Sequence, residues 1–153
     1  MRAVLQRVSG ASVIADGVLT GKIEKGLVIL LGVRDGDDEI DAEVLAEKIS
    51  KLRIFSDEND KLNLSIKDVG GAALIVSNFT LMADYKKGNR PSYTDSAAPE
   101  LANSLYEYFI LQMKNKEISC QSGVFGADMA LSLTNDGPIT IVMDSEVLLK
   151  KGV

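Results

Sequence analysis

The sequence contains no histidine and no tryptophan, one cysteine (Cys120) and three prolines in 153 residues. The missing histidine removes the commonest general base, the commonest zinc ligand and every Ser-His or Cys-His nucleophile pair. A single cysteine rules out an internal disulfide and suits a reducing compartment. With no histidine beside it, Cys120 reads as a small buried hydrophobe. Long apolar runs are missing too. The longest, Leu27 to Leu31, is far too short to cross a bilayer, and the opening MRAVLQRVSGASVIADG has neither a signal-peptide core nor a small-residue cleavage site. A cytoplasmic protein is expected. No repeat, low-complexity stretch or linker interrupts the chain.

What is present is ordinary for a globular chain: 46% hydrophobic and 25% charged residues. A chain of this size buries roughly two-thirds of its unfolded surface, so residues 1–153 are expected to form one domain. Any catalysis must use hydroxyls, carboxylates, lysines, backbone amides or the substrate itself. The formal charge of −5 argues against wholesale binding of nucleic acid, although a local basic strip can still bind phosphates.

The apolar periodicity predicts strands at Ala3–Ala15 and Val18–Ile23, joined by the hairpin signal Asp16-Gly17, then a fully buried strand over LVILLGV. Asp37 or Asp38 caps a helix whose inner face carries Ile40, Val44, Leu45, Ile49 and Leu52. Short strands follow at Arg53–Ser56 and LNLSI, and Gly70-Gly71 precedes a second apolar strand, AALIVSNF. Leu81–Thr94 reads as a loop. A second helix runs from Pro99 to Asn115 with Leu101, Leu105, Tyr108, Phe109 and Gln112 on one face. Strands Ile118–Val124, Met129–Thr134 and Ile139–Asp144 complete the chain. This order predicts an α+β fold with a largely antiparallel, barrel-like sheet and two main helices.

Three segments stand out from plain scaffold. Ser77-Asn78-Phe79-Thr80 puts hydroxyls, an amide and an aromatic where a buried strand reaches the surface, either as a site or as a satisfied polar strand end. Gly123 to Met129 sets Phe125 between two glycines, either a stacking platform or a bulged turn that packs Phe125 inward. Asn135-Asp136-Gly137-Pro138 is strong turn chemistry in which the X-Pro bond can be cis, either a functional element or a hairpin loop.

Together these segments resemble the signatures of the D-aminoacyl-tRNA deacylase family. SNFTL is similar to that family's Ser-Gln-Phe-Thr-Leu motif, and NDGPIT to its Asn-x-Gly-Pro-Val-Thr motif. MRAVLQRV, KGNRPSY and SGVFGADM also match in the same order, from Met1 to about Asp144. The resemblance implies a β-barrel-like homodimer with active sites at the subunit junction. It implies hydrolysis of the ester of D-aminoacyl-tRNA, and of glycyl-tRNA(Ala), with L-aminoacyl groups rejected by main-chain atoms. By resemblance Ser77, Asn78, Phe79 and Thr80 form the catalytic floor; their place at a strand end makes the backbone amides of Asn78 and Phe79 the expected donors to the developing oxyanion. Gly137 and Pro138, joined by a cis bond and flanked by Ile139, reach the partner's pocket with Met129 nearby. Phe125, Gly126 and Ala127 hold the terminal adenosine.

Lys86, Lys87 and Arg90, with Arg2 and Arg7 and then Lys150 and Lys151, are the basic groups expected to meet tRNA. The chain departs from the family pattern at Asn78, usually Gln, and at Ile139, usually Val. Asn78 costs little if that position acts through its backbone N–H. Two other readings compete: an editing module that removes a wrong L-amino acid, and a non-catalytic tRNA-binding dimer. No cofactor and no metal are expected, because the sequence offers no Cys/His cluster. Hydrolysis should therefore survive exhaustive chelation, as judged by ester loss before and after EDTA; a loss of rate restored by a divalent ion would contradict this.

Overall fold

The computed structural model describes residues 1–150; Lys151 falls outside them. Its strands are β1 (Arg2–Ala15), β2 (Val18–Ile23), β3 (Gly26–Gly32), β4 (Phe55–Ser56), β5 (Leu62–Leu64), β6 (Ala72–Ser77), β7 (Ser119–Ser122) and β8 (Met129–Asp144). The helices are α1 (Glu39–Lys51), α2 (Pro99–Asn115) and the short α3 (Ser145–Leu149), with a 3-10 turn at Phe79–Met82. The main sheet runs β2-β1-β3-β6-β7, and β8 pairs with β1 alone. Four of the six strand pairings are antiparallel; β3–β6 and β6–β7 are parallel. The barrel nearly closes where the Lys22 N–H donates to Gln121 Oε1 at 2.8 Å, joining β2 to β7. This is the expected α+β, barrel-like architecture.

β1 organises the sheet because it is long enough to serve three neighbours. Its first half pairs with β3, its second half with β2, and its other edge with β8 from end to end. Alternate residues Ala3, Leu5, Ala11, Val13 and Ala15 point into the core, the two-residue period of a strand with one buried face. β3 is buried on nearly its whole length, as its unbroken apolar run predicted. β8 differs from the expectation of two strands. Met129–Asp144 is continuous, and both halves pair with β1, so Asn135–Thr140 is an excursion from one strand rather than a hairpin. The register passes from Val8↔Asn135 to Gln6↔Thr140, which leaves four residues opposite Arg7.

The helices sit against the sheet with their faces rotated from the predicted ones. In α1 the buried residues are Asp41, Ala42, Leu45, Ala46 and Ile49, while Ile40 is 54% exposed. In α2 they are Leu105, Tyr106, Phe109 and Met113, while Leu101 lies outside. Small and polar residues took core positions because a polar network lies beneath α1. Asp38 caps the helix, accepting from the N–H groups of Ile40 (2.9 Å) and Asp41 (3.4 Å), and Asp41 returns the capping-box bond to the Asp38 N–H at 2.9 Å. Asp41 also accepts from the buried Ser145 hydroxyl at 2.6 Å, and that hydroxyl accepts from the Met1 ammonium at 2.8 Å. The same ammonium lies 2.7 Å from Asp37 Oδ2.

Burial pushes the Asp41 carboxyl upward, but bonds from Ser145 and the Asp38 backbone and the Met1 charge outweigh it and hold it below its ordinary 3.8. A depressed folded value contributes stability above the ordinary value and loses it as pH falls through the folded one. Asp41→Asn should therefore cost roughly 1–3 kcal/mol at pH 7. Urea midpoints measured against pH should show the gap to the parent closing below about pH 4. A gap that does not change with pH would contradict this origin.

Candidate active site

At the end of β6 the Asn78 N–H donates to Leu31 O at 2.8 Å, beyond the Leu31↔Ser77 pair of the β3–β6 ladder. The chain then enters the 3-10 turn, where the Leu81 N–H donates to Asn78 O (3.3 Å) and the Ala83 N–H to Thr80 O (3.1 Å). Among the described residues the Phe79 and Thr80 N–H groups find no acceptor, as the first amides of a helical turn do not. Of the two amides expected as donors, that of Asn78 is therefore engaged in the sheet, while that of Phe79 is free among the described residues, as is that of Thr80. The Asn78 amide belongs to the sheet, so position 78 does not act through its N–H. Its side-chain oxygen accepts from the Thr80 hydroxyl. That bond orients the Thr80 hydroxyl and leaves its oxygen free to accept a further hydrogen.

These residues floor a cavity of about 860 Å³. Its opposite wall is Phe125–Met129 with Leu131, so two of the three segments singled out in the sequence meet across one space. Phe125 is half-buried, at once packed on the core and facing the cavity. Its ring leans on Tyr106, with centroids 6.2 Å apart and planes at 45°. The Tyr106 hydroxyl donates to Ile75 O at 2.7 Å, and burial pushes it up to about 12, so it remains a neutral donor. Gly126 turns the chain at φ +78°, a conformation disfavoured for residues with a Cβ. A Cβ on Gly123 would collide with the Met129 sulfur. Phe79, 58% exposed, meets Tyr93 edge to face at 5.1 Å on the rim.

The third segment lies elsewhere on the same chain: Gly137, Pro138 and Ile139 do not line the cavity. The Gly137-Pro138 bond is cis, and Gly137 has φ +129°. The excursion is held from within by the Asn135 side chain, which accepts from the Ile139 N–H (3.1 Å) and donates to Thr140 Oγ1 (2.9 Å). From behind, Arg7 donates to Asp136 O (3.1 Å) and Ile54 O (3.0 Å) and lies 3.5 Å from the Asp136 carboxylate. With its side chain only 11% exposed, Arg7 is a strut of this loop and not the phosphate contact expected of it.

Lys86, Lys87 and Arg90 are exposed on a loop whose neck is closed by reciprocal bonds between Asp84 and Ser92, both 2.8 Å. None of the three lines the main cavity. Arg2 donates to the Asp144 carboxylate (3.0 and 3.3 Å) and to Leu81 O (2.9 Å), tying β1 to the 3-10 turn. Lys150 is exposed after α3. Cys120 is a half-buried thiol pushed up to about 11 by burial, and its Sγ–H donates to Ile118 O at 3.3 Å. The sequence reading missed Tyr93, Ser96 and Tyr106. Tyr93 closes the KGNRPSY stretch and Ser96 lies just beyond it, but neither was assigned a role there, and Tyr106 was hidden by the rotated face of α2.

Tyr106→Phe should lower the unfolding free energy by about 1 kcal/mol, the net worth of one buried hydrogen bond. Tyr106→Ala should cost roughly 3–5 kcal/mol because the support under Phe125 disappears as well. Urea denaturation of both variants checks the difference; equal losses would show that the ring contributes nothing.

The model of the D-Tyr-tRNA(Tyr) deacylase family matches residues 4–144. A D-aminoacyl-tRNA deacylase of Koribacter versatilis is 57% identical over 146 residues, covering 95% of this chain and 98% of the relative. One from Thermosipho africanus is 53% identical with the same coverage. Among solved structures, a c-Myc DNA unwinding element binding protein superposes with TM-score 0.88 at 36% identity, over 94% of this chain and 98% of that one. A probable eukaryotic D-amino acid tRNA deacylase superposes with TM-score 0.77 at 16% identity over the same shares, a likeness of fold alone. The motifs at the cavity, the match over nearly the whole chain and these identities converge: the chain belongs to the D-aminoacyl-tRNA deacylase family of hydrolases.

Proposed function

We propose that the chain works as a single cytoplasmic domain in a homodimer, hydrolysing the ester between a D-amino acid and the terminal ribose of tRNA. Glycine on alanine tRNA is a further substrate in this reading. The observation that carries it is the cavity joining the Ser77–Thr80 strand end, with its two unpaired amides, to the Phe125 wall.

The amides of Phe79 and Thr80 receive the negative charge that builds on the ester oxygen. Such donors are worth roughly 3 kcal/mol each when preorganised. Thr80 positions the attacking water, its own O–H being directed to Asn78. It has no histidine to take its proton, so covalent catalysis by threonine is the weaker route. The neighbouring ribose 2′-hydroxyl assists the water, and the ester is reactive enough for this modest apparatus. Phe125 stacks on the terminal adenine, with Gly126 and Ala127 presenting backbone beside it and Met129 closing the wall.

The dimer is supported by the free edge of β8. Along it the core-facing row Met129, Leu131, Leu133, Ile141 and Met143 is only half-covered. Met129 and Leu131 also line the cavity, so a second copy on this face closes it. The Gly137-Pro138 excursion rises from the middle of the same strand and enters the partner's cavity by two-fold symmetry. Its carbonyl oxygens meet the substrate amino group and Cα, so an L side chain clashes with main chain while D residues and glycine fit. Ile139 adds one methylene to that wall relative to Val. Lys86, Lys87 and Arg90 hold the tRNA beyond its end, giving a modest, salt-sensitive grip compatible with the −5 charge.

D-Tyr-tRNA and L-Tyr-tRNA offered separately to the purified protein test the reading. Loss of the D ester alone is expected. Loss of an L ester indicates editing of L-amino acids, and loss of neither indicates a binding module. Thr80→Val should lower the D-ester rate by about 100-fold or more, with Thr80→Ser retaining most of it.

A further inference from the structure

Beside the main cavity lies a second, polar cleft of about 280 Å³. The two share a wall. Phe79 and Thr80 face the large cavity and Met82 the small one; Tyr93 and Ser96 face the large one and Asp95 the small one. The cleft is lined by Arg2, Arg34, Asp84, Tyr85, Lys86 and Asp95. Tyr85 is 80% exposed and belongs to neither of the aromatic pairs, so its ring offers an open face. Its backbone is fixed all the same, between the Asp84–Ser92 bonds and the Lys86 N–H that donates to Asp84 Oδ1 at 3.0 Å.

The cations are not equally engaged. Arg2 is committed to Asp144 and Leu81 O. Arg34 is ion-paired too, its Nη2 3.7 Å from Asp144 and its Nη1 3.4 Å from Glu146, although the buried Nη1 makes no hydrogen bond among the described residues. Lys86 makes no ion pair among the described residues. Of the carboxylates, Asp84 accepts from Lys86 N–H, whereas the Asp95 side chain has no hydrogen-bond partner among the described residues. One stacking face, one cation without an ion pair among the described residues beside the paired Arg34, and one under-used acceptor suit a nucleotide better than a bare anion, which would meet Asp95 as a repulsive charge.

Resting on the deacylase reading above, we propose that this cleft binds the nucleotide preceding the terminal adenosine of the substrate. Its base stacks on Tyr85, its exocyclic amino group donates to Asp95, and its phosphodiester lies against Arg34 and Lys86. The shared wall then sets the path of the strand, with the terminal nucleoside on the Phe125 side and its neighbour on the Tyr85 side. The cleft thus separates substrates that carry a second nucleotide from those that do not.

The test compares D-tyrosyl-tRNA with D-tyrosyl-adenosine, which has the same ester but no preceding nucleotide, for the parent, Tyr85→Ala and Arg34→Gln. On the tRNA, kcat/KM should fall roughly 5- to 50-fold for Tyr85→Ala, carried by KM, as expected for loss of one base-stacking platform. On D-tyrosyl-adenosine the same variant should change little. Tyr85 is exposed, so its removal leaves the fold intact; Arg34→Lys, which keeps the charge, should recover part of the Arg34→Gln loss. Equal losses on both substrates, or no loss on the tRNA, would overturn the proposal. A parent protein inactive on both esters would instead overturn the hydrolytic reading, and this inference with it.

Discussion

The continuous pairing of β1 with β8 is the constraint on which the rest depends. β1 hydrogen-bonds to β8 along one edge from Arg2 to Ala15, and its other edge is divided between β3 and β2. This single strand sets the position of the cavity wall at Met129 and Leu131 and of the excursion at Gly137-Pro138. Because register is specified wherever one face of a strand is buried, the three residues in excess of Arg7 cannot be absorbed by slippage. They must leave the sheet, and they leave it opposite Arg7. The almost fully buried guanidinium then bridges the loop to Ile54 O and fixes the direction in which it projects. An exposed arginine would grip phosphate; this one, donating from Nε and Nη1 to two backbone carbonyls, shapes backbone.

The same economy governs the cavity. With no histidine in the chain, the groups that the fold presents there need no titration: two backbone amides, a threonine hydroxyl oriented by Asn78, and an aromatic wall backed by Tyr106. Such groups are preorganised by the fold itself, because the 3-10 turn begins where the β6 ladder ends. The amides of Phe79 and Thr80 are unpaired for the same geometric reason that the amide of Asn78 is paired. In the proposed dimer a second copy lies over the half-covered row of β8 and closes this cavity. A lid that brings main-chain carbonyls selects handedness without reading the side chain.

Much of this was legible in the sequence where pattern and burial coincide. The unbroken run LVILLGV read as a buried strand, the alternation in β1 revealed its inner face, and the pair Asp37 and Asp38, of which Asp38 is the cap, announced the start of α1. The motif segments at Ser77 and Phe125 indeed meet across one cavity. Legibility failed where a tertiary demand overrode a local rule. Asn-Asp-Gly-Pro reads as a hairpin, yet both flanks pair with the same strand, a fact no local window contains. The faces of α1 and α2 rotated because a buried ionic network at Asp41 and a hydroxyl bond at Tyr106 claim core positions that hydrophobicity assigns to Ile40 and Leu101. Arg7 looked like a phosphate ligand because its two backbone acceptors lie 47 and 129 residues away.

The central claim is that each cavity is completed by the excursion of the other subunit. It is tested most directly by mixing two individually inactive homodimers, Thr80→Val and Gly137→Val, the latter forcing a side chain against Ile139 and Arg7 at φ +129° and so distorting the excursion. If the sites are shared, subunit exchange creates dimers with one intact site, uniting Thr80 of one chain with Gly137 of the other, and D-Tyr-tRNA hydrolysis returns on mixing. If exchange occurs and the mixture stays as inactive as its parents, each site is built from one chain and the account is wrong.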